Sequence, residues 1–259
     1  MRDPHVQTLR YQVQTADGVR FGDSPPVEWE TPEFRARLEG GSLTVGLLRH
    51  YASEGVAQQA VEPYLRAWEI TAGLDTGQPA FALLFRRATI IDRGPSAGTG
   101  VRLRATGRAA VAATAPLVRT LSAYPRPPSE FAASPDVESM WGRWAGYMND
   151  REPLASMASM CLTLLEASAG GTPHERRTSA AAKYGVAREV LNRLAELTAD
   201  AGDAQTGREA PVTHPRSHTP AEAGWIEAVV QRLIRRTGEV AYDPGRPWPQ
   251  ITMADLPQP

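Results

Sequence analysis

The stretch Phe34-Arg-Ala-Arg-Leu-Glu-Gly-Gly-Ser-Leu-Thr-Val-Gly-Leu47 alternates apolar and polar residues on both sides of Glu39-Gly-Gly-Ser42. Alternation with period two marks a half-buried strand, so Phe34, Ala36 and Leu38 should face Leu43, Val45 and Leu47 across a hairpin. From Ser134-Pro135 onward the period changes: Val137, Met140/Trp141, Trp144 and Met148 recur at helical spacing. That change predicts an α+β protein, with an antiparallel β-rich N-terminal part carrying one covering helix, followed by an all-α helical bundle.

Working outward from the hairpin, Leu9, Tyr11 and Val13 alternate with Arg10, Gln12 and Gln14, and the pattern resumes after Asp17-Gly18 with Val19 and Phe21. This predicts another hairpin. Residues 80–92 and 101–105 supply further strands. Ahead of them Val56/Ala57, Ala60/Val61, Tyr64/Leu65, Trp68 and Ala72 predict the covering helix, N-capped by Ser53, with a kink or restart at Pro63. Residues 106–133, rich in Ala and Pro, read as a loop or linker. In the second half, Leu154, Met157/Ala158, Cys161 and Leu164/Leu165 form a stripe stopped by Gly170-Gly171. Thr172-Pro-His-Glu175 and Thr219-Pro-Ala-Glu222 both read as capping boxes with proline at the first helical position. The expected division is a β-rich domain over 1–126, a linker over 127–133, a bundle of about five helices over 134–240 and an extended tail over 241–259. The tail's Pro247-Trp-Pro-Gln-Ile-Thr-Met-Ala-Asp-Leu256 is expected to lie along the body or against a partner.

Composition narrows the chemistry. With 42% hydrophobic and 22% charged residues, the 259-residue chain can bury a core. Lys183 is its only lysine among 28 basic residues, a bias that fits a GC-rich bacterial genome and leaves a surface of arginine forks suited to phosphate. A single cysteine, Cys161, excludes an intramolecular disulfide and a thiolate zinc cluster. No apolar run approaches membrane-spanning length and no signal peptide is visible, so a cytoplasmic protein with no membrane partner is expected. There is no Gly-x4-Gly-Lys loop and no Gly-x-Gly-x-x-Gly after a strand; no cofactor and no metal are expected. Of the tryptophans, Trp68, Trp141, Trp144 and Trp225 fall on apolar stripes and are expected in the core, whereas Trp29 and Trp248 are not placed by pattern.

Three local patterns carry possible chemistry. Gly94-Pro-Ser-Ala-Gly98 spells a nucleophile elbow, but the following Thr99-Gly-Val-Arg-Leu-Arg104 reads as strand where the elbow requires a helix, so a β-turn is expected. Arginines are unevenly placed: residues 84–126 hold eight (86, 87, 93, 102, 104, 108, 119 and 126) against one acid, Asp92. Arg102 and Arg104 alternate with Val101 and Leu103, which puts both guanidinium groups on one sheet face as a candidate phosphate stripe. Apart from these three, the joint Tyr147-Met-Asn-Asp-Arg-Glu-Pro153 is expected to be structural, capping the next helix through Asp150 or Glu152 while Arg151 pairs locally, with the lining of a cleft between the two halves as the alternative.

The third pattern is Thr178-Ser-Ala-Ala-Ala-Lys-Tyr-Gly-Val-Ala-Arg-Glu-Val-Leu-Asn-Arg-Leu-Ala-Glu-Leu197. Over these residues the chain resembles the helix-turn-helix DNA-binding unit: Ala181 is the small residue of the first helix, Gly185 the turn, and Val186, Leu191 and Leu194 the spaced apolar positions. The resemblance implies that a second helix from about Ala187 enters the major groove, with Arg188, Asn192 and Arg193 toward bases or phosphates. Residues 174–193 also carry Arg176, Arg177 and Lys183, for a net charge of +3. Separately, the Arg208 and His214 spacing is similar to that of HEPN-type ribonucleases, some of which pair a β-rich region with a helical half; here the pair falls in a Pro-containing loop where the family has a helix. The leading expectation is a non-catalytic accessory or regulatory protein whose partner is DNA or RNA. A protein-interaction module of a multi-protein bacterial system, with its protein partner on the helical half, is the alternative, and a metal-independent nuclease is third.

Overall fold

A computed structural model describes residues 3–15, 19–22, 24–77, 79, 81–94, 102–105, 119–200 and 217–258. The fold is α+β and divides into two compact units, Met1–Ser129 and Glu130–Pro259. Among the described residues no helix is long and apolar enough to cross a membrane.

The first unit is built on a six-stranded sheet in which β3 (Val27–Glu30), β4 (Phe34–Glu39), β5 (Ser42–Leu47), β1 (Pro4–Thr15), β6 (Phe81–Asp92) and β7 (Arg102–Ala105) lie side by side in that order, with every neighbouring pair antiparallel. Strands β4 (Phe34–Glu39) and β5 (Ser42–Leu47) form the expected hairpin, with Phe34 opposite Leu47 and Glu39 opposite Ser42. Its two-residue turn, Gly40-Gly41, has φ of 54° and 73°, left-handed values that a residue with a Cβ adopts at a cost. The turn is tied down: Gly41 N–H donates to the Tyr124 hydroxyl (2.7 Å) and Gly41 C=O accepts from Gln12 Nε2 (2.9 Å).

The second expected hairpin does not form. Strand β1 (Pro4–Thr15) is a central strand, paired with β5 on one edge and with the full length of β6 (Phe81–Asp92) on the other. Both its edges are occupied, so β2 (Val19–Phe21) pairs in parallel with β8 (Arg119–Leu121), a strand inside the segment expected as loop. Asp17-Gly18 lies outside the described residues. Strand β3 (Val27–Glu30) forms one edge, bounded by Pro26 and Pro32; β7 (Arg102–Ala105) forms the other.

Helix α1 (Glu54–Thr76) covers one face of the sheet, and its Ser53 hydroxyl caps the Val56 N–H. It runs through Pro63 as one helix, without the expected restart. Ala57, Val61, Leu65, Trp68 and Ala72 form its buried stripe against Leu9, Tyr11, Val45 and Phe81. The Trp68 indole sits edge-on to Trp29 (4.7 Å) and Phe81 (5.2 Å) and donates to Pro125 C=O (3.1 Å). Burial raises the Glu69 carboxyl above its ordinary value; the group accepts the Leu83 N–H (2.6 Å) and pairs with Arg66 (2.5 Å).

The second unit holds five helices among its described residues: α2 (Pro135–Met148), α3 (Leu154–Ala169), α4 (Arg176–Tyr184), α5 (Arg188–Asp200) and α6 (Pro220–Tyr242). Ser134 caps α2 through the Val137 N–H, and the Thr219/Glu222 capping box opens α6 with both reciprocal bonds made. The Thr172–Glu175 pattern behaves differently. Its side chains bond each other (2.8 Å) in a turn, and the helix begins only at Arg176. Trp144 and Trp225 are fully buried and Trp141 nearly so. Between α2 and α3, Asp150 caps neither helix; it takes φ 54°, the only positive-φ non-glycine residue described. Asp150→Gly removes both the left-handed penalty and an acid from a helix C-terminus. It is expected to stabilise the protein by about 0.5–1 kcal/mol in chemical denaturation; a destabilised variant would contradict this account.

Candidate nucleic-acid interface

The outer face of the sheet, opposite α1, is polar by the same alternation that buries Leu9 and Tyr11. Toward β3 it is charge-balanced: Glu30 pairs with Arg35 (2.9 Å), and Arg37 reaches both Glu28 and Glu39 across and along the strands. Toward the centre it is not. Arg10 on β1, exposed, stands directly opposite Arg87 on β6 and opposite Thr44 on β5. Arg86 is the extra residue of a β-bulge between the pairs Arg10–Arg87 and Tyr11–Phe85. Among the described residues none of these three arginines has a carboxylate partner. Like charges placed directly across strands destabilise a sheet by a few tenths of a kcal/mol or more, so the arrangement costs stability unless an anion neutralises it.

Arg102 and Arg104 stand at alternate positions of β7, opposite Ile90 and Ala88 respectively. They are described by backbone only. Arg108 and the elbow residues Pro95–Gly98 lie outside the described residues, as do Arg208 and His214. His218 lies inside them, with Nε2 3.0 Å from Leu197 C=O.

The segment that resembles a helix-turn-helix folds as α4, a tight turn and α5. Gly185 adopts φ 56°, a left-handed conformation, and ends α4. Val186, Leu191 and Leu194 are fully buried; in the first helix Ala180, one position before Ala181, is the fully buried small residue. The C-terminal segment holds the turn. Ile251 N–H donates to Gly185 C=O and Ile251 C=O accepts from Ala187 N–H, 2.8 Å each. The buried Arg236 guanidinium donates to Tyr184 C=O (2.9 Å), Gly185 C=O (3.3 Å) and Pro249 C=O (2.7 Å), and pairs with Glu239 (2.8 Å). The tail therefore lies along the body of its own unit, the first of the two dispositions expected for it.

Most of the expected contact residues on this helix pair are engaged internally. Arg177 pairs with Glu166 (2.7 Å) and touches Asn192 Oδ1 (3.4 Å). Lys183 donates to Ser168 C=O (2.6 Å) and lies over the Tyr184 ring (5.1 Å). Arg193 pairs with Glu196 (3.3 Å) and sits 4.0 Å from Glu222. Arg176 and Arg188, each the first residue of its helix, are exposed and have no ion pair among the described residues. The solvent side of α5 also carries Glu189 and Glu196, so its field is mixed.

Of the eight residues singled out from the sequence, the structure brings together Arg177 and Asn192. Arg10 escaped notice. Its alternation with Leu9 and Tyr11 put it on the polar face, but only the β1–β6 register places it against Arg87. Among the described residues no group of three or more His, Cys, Asp or Glu side chains could hold a metal ion. Comparison with known protein families, curated proteins and solved structures finds no match, so these surfaces are interpreted from their own chemistry.

Proposed function

We propose that this is a non-catalytic accessory or regulatory protein that contacts nucleic acid through arginine-bearing surfaces, with the outer sheet face as the main contact. The observation that carries the reading is Arg10 opposite Arg87, with Arg86 displaced beside them by a bulge and no carboxylate partner among the described residues. A phosphate backbone supplies the anion such a face lacks, and arginine forks bind it bidentately. Of the outward positions around the pair, Thr8, Gln12, Gln14 and Thr44 are polar and Leu84, opposite Gln12, is apolar; none of these is an aromatic ring on which a base could stack. The contact is therefore to phosphate and indifferent to base sequence. Exposed Arg176 and Arg188 on the helix pair that resembles a helix-turn-helix would add phosphate contacts.

The test is binding of the full chain to labelled duplex DNA, single-stranded DNA and RNA across a salt series. Arg10→Gln with Arg87→Gln is expected to lower the log–log salt slope by about 2. The same pair should leave the folded protein equally or slightly more stable, because a like-charge contact is removed. Unchanged binding in the double variant, or no binding at low salt, would reject the sheet face. A protein partner would then be the better reading. It has its own support in Val56, Leu48 and Tyr64, which are 54%, 48% and 42% exposed, and in Tyr242 of the helical unit, at 54%.

A further inference from the structure

A different part of the first unit carries an unexplained titratable group. His5, near the start of β1, is 1% exposed, and its Nδ1 has no hydrogen-bond partner among the described residues. Its ring stacks on that of His50, from the β5–α1 connection, with centroids 5.4 Å apart and planes 18° from parallel. Arg93, just past β6, adds a further positive charge, while Asp3 supplies the opposing one, 3.7 Å from His50 Nε2. The surrounding backbone closes this end of the sheet. Val6 N–H donates to Tyr51 C=O (2.9 Å), Arg93 N–H to Asp3 C=O (2.9 Å), and Asp3 N–H to the Asp92 carboxylate (3.0 Å).

We propose that the His5–His50 stack is an acid-sensitive latch, which holds the N-terminal end of β1 and the β5–α1 connection in place while the buried His5 ring is neutral and releases them when it is protonated. The chemistry is that of a buried imidazole between like charges. A proton on His5 would sit in a desolvated position against His50 and near Arg93, with Asp3 as the nearby counter-charge and Nδ1 without an acceptor. Burial, then Arg93 and His50, lower the pKa of His5 below the ordinary histidine value, and Asp3 opposes them. The sign follows from linkage. Below about 6.5, the ordinary value, an opened strand end binds a proton that the closed one resists, so the latch is fully held above that pH and weakens as pH falls below it.

The test is a histidine-ring NMR titration of the full chain between about pH 8 and pH 5, across the ordinary histidine pKa, with amide exchange at Val6 in parallel. The His5 signal is assigned by its loss in His5→Phe, which keeps an aromatic ring in the stack. His5 is expected to titrate below about 6.5, the ordinary histidine value. Protection of the Val6 amide, corrected for intrinsic exchange, should fall several-fold more on acidification in the parent than in His5→Phe. His50→Gln, at a largely exposed position, removes the neighbouring charge and should move the His5 titration upward; it serves equally if His5→Phe fails to fold. A His5 that titrates at or above the ordinary histidine value of about 6.5, or a pH dependence at Val6 that neither variant alters, overturns the proposal.

Discussion

Arg236→Met is expected to destabilise the helical unit by about 3 kcal/mol, because it removes a buried guanidinium that joins the buried Tyr184 carbonyl, two less buried carbonyls and a carboxylate. The guanidinium is 7% exposed and makes four contacts: Glu239, Tyr184 C=O, Gly185 C=O and Pro249 C=O. Methionine keeps most of the apolar stem but donates nothing. Gly185 C=O retains the Ile251 N–H and Pro249 lies at an exposed position, so their losses are small; the heavier costs fall on Tyr184 and Glu239. Glu239 is 22% exposed, and water will repair part of its loss, which is why the estimate sits at the lower end for a broken buried pair. Chemical denaturation of the full chain, followed by far-UV circular dichroism, measures the effect. A change under about 1 kcal/mol would mean that the guanidinium contacts are not holding the α4–α5 turn. The same variant bears on function. If the helix pair contributes to binding through Arg176 and Arg188, loosening the turn should weaken that contribution while leaving the Arg10–Arg87 contribution intact.

The second large effect has a sign opposite to helix propensity. Gly238 lies inside α6, where replacing glycine by alanine ordinarily gains about 0.5–1 kcal/mol. Here a Cβ would fall 2.1 Å from Cε2 of Phe131, 2.4 Å from Cδ2 and 2.5 Å from Cζ, inside the van der Waals surface of the ring. The ring cannot simply tilt away, because Ala132 N–H donates to Gly238 C=O (3.0 Å) and fixes the adjoining backbone, and Phe131 is itself buried. Gly238→Ala must expel the phenyl group or shift α6. It is expected to cost about 2 kcal/mol or more net, the lost burial of one aromatic side chain outweighing the propensity gain. The double variant Phe131→Ala with Gly238→Ala should be far from additive, since the second methyl then occupies space the ring has left. Additive costs in the cycle would show that the two residues do not share that space.

Several features of this protein are properties of short windows of chain. The β4–β5 hairpin follows from alternation around Gly40-Gly41, because the two residues that must adopt positive φ are the two without a Cβ. The caps at Ser53, Ser134 and Thr219 sit where the helices begin, since a hydroxyl or carboxylate two or three residues from an orphan N–H satisfies it locally. The change from period two to period 3.6 carries the α+β class for the same reason: each element must bury one face of its own.

What local pattern could not contain is partnership. Whether Val19–Phe21 pairs with β1 depends on which edges of β1 remain open, and β5 and β6, distant in sequence, occupy both. The β8 strand is three residues long and finds its pair 100 positions away, so no window around it signals a strand. The candidate interface follows the same logic. Arg10 is one polar residue in an alternating strand until the register sets it against Arg87, whereas Arg177 and Lys183, prominent as part of a basic segment, are engaged by Glu166 and by the Ser168 carbonyl near the end of α3. Charge counted along a segment measures how much is present. Only packing sets which charges are neutralised by neighbours and which still face water.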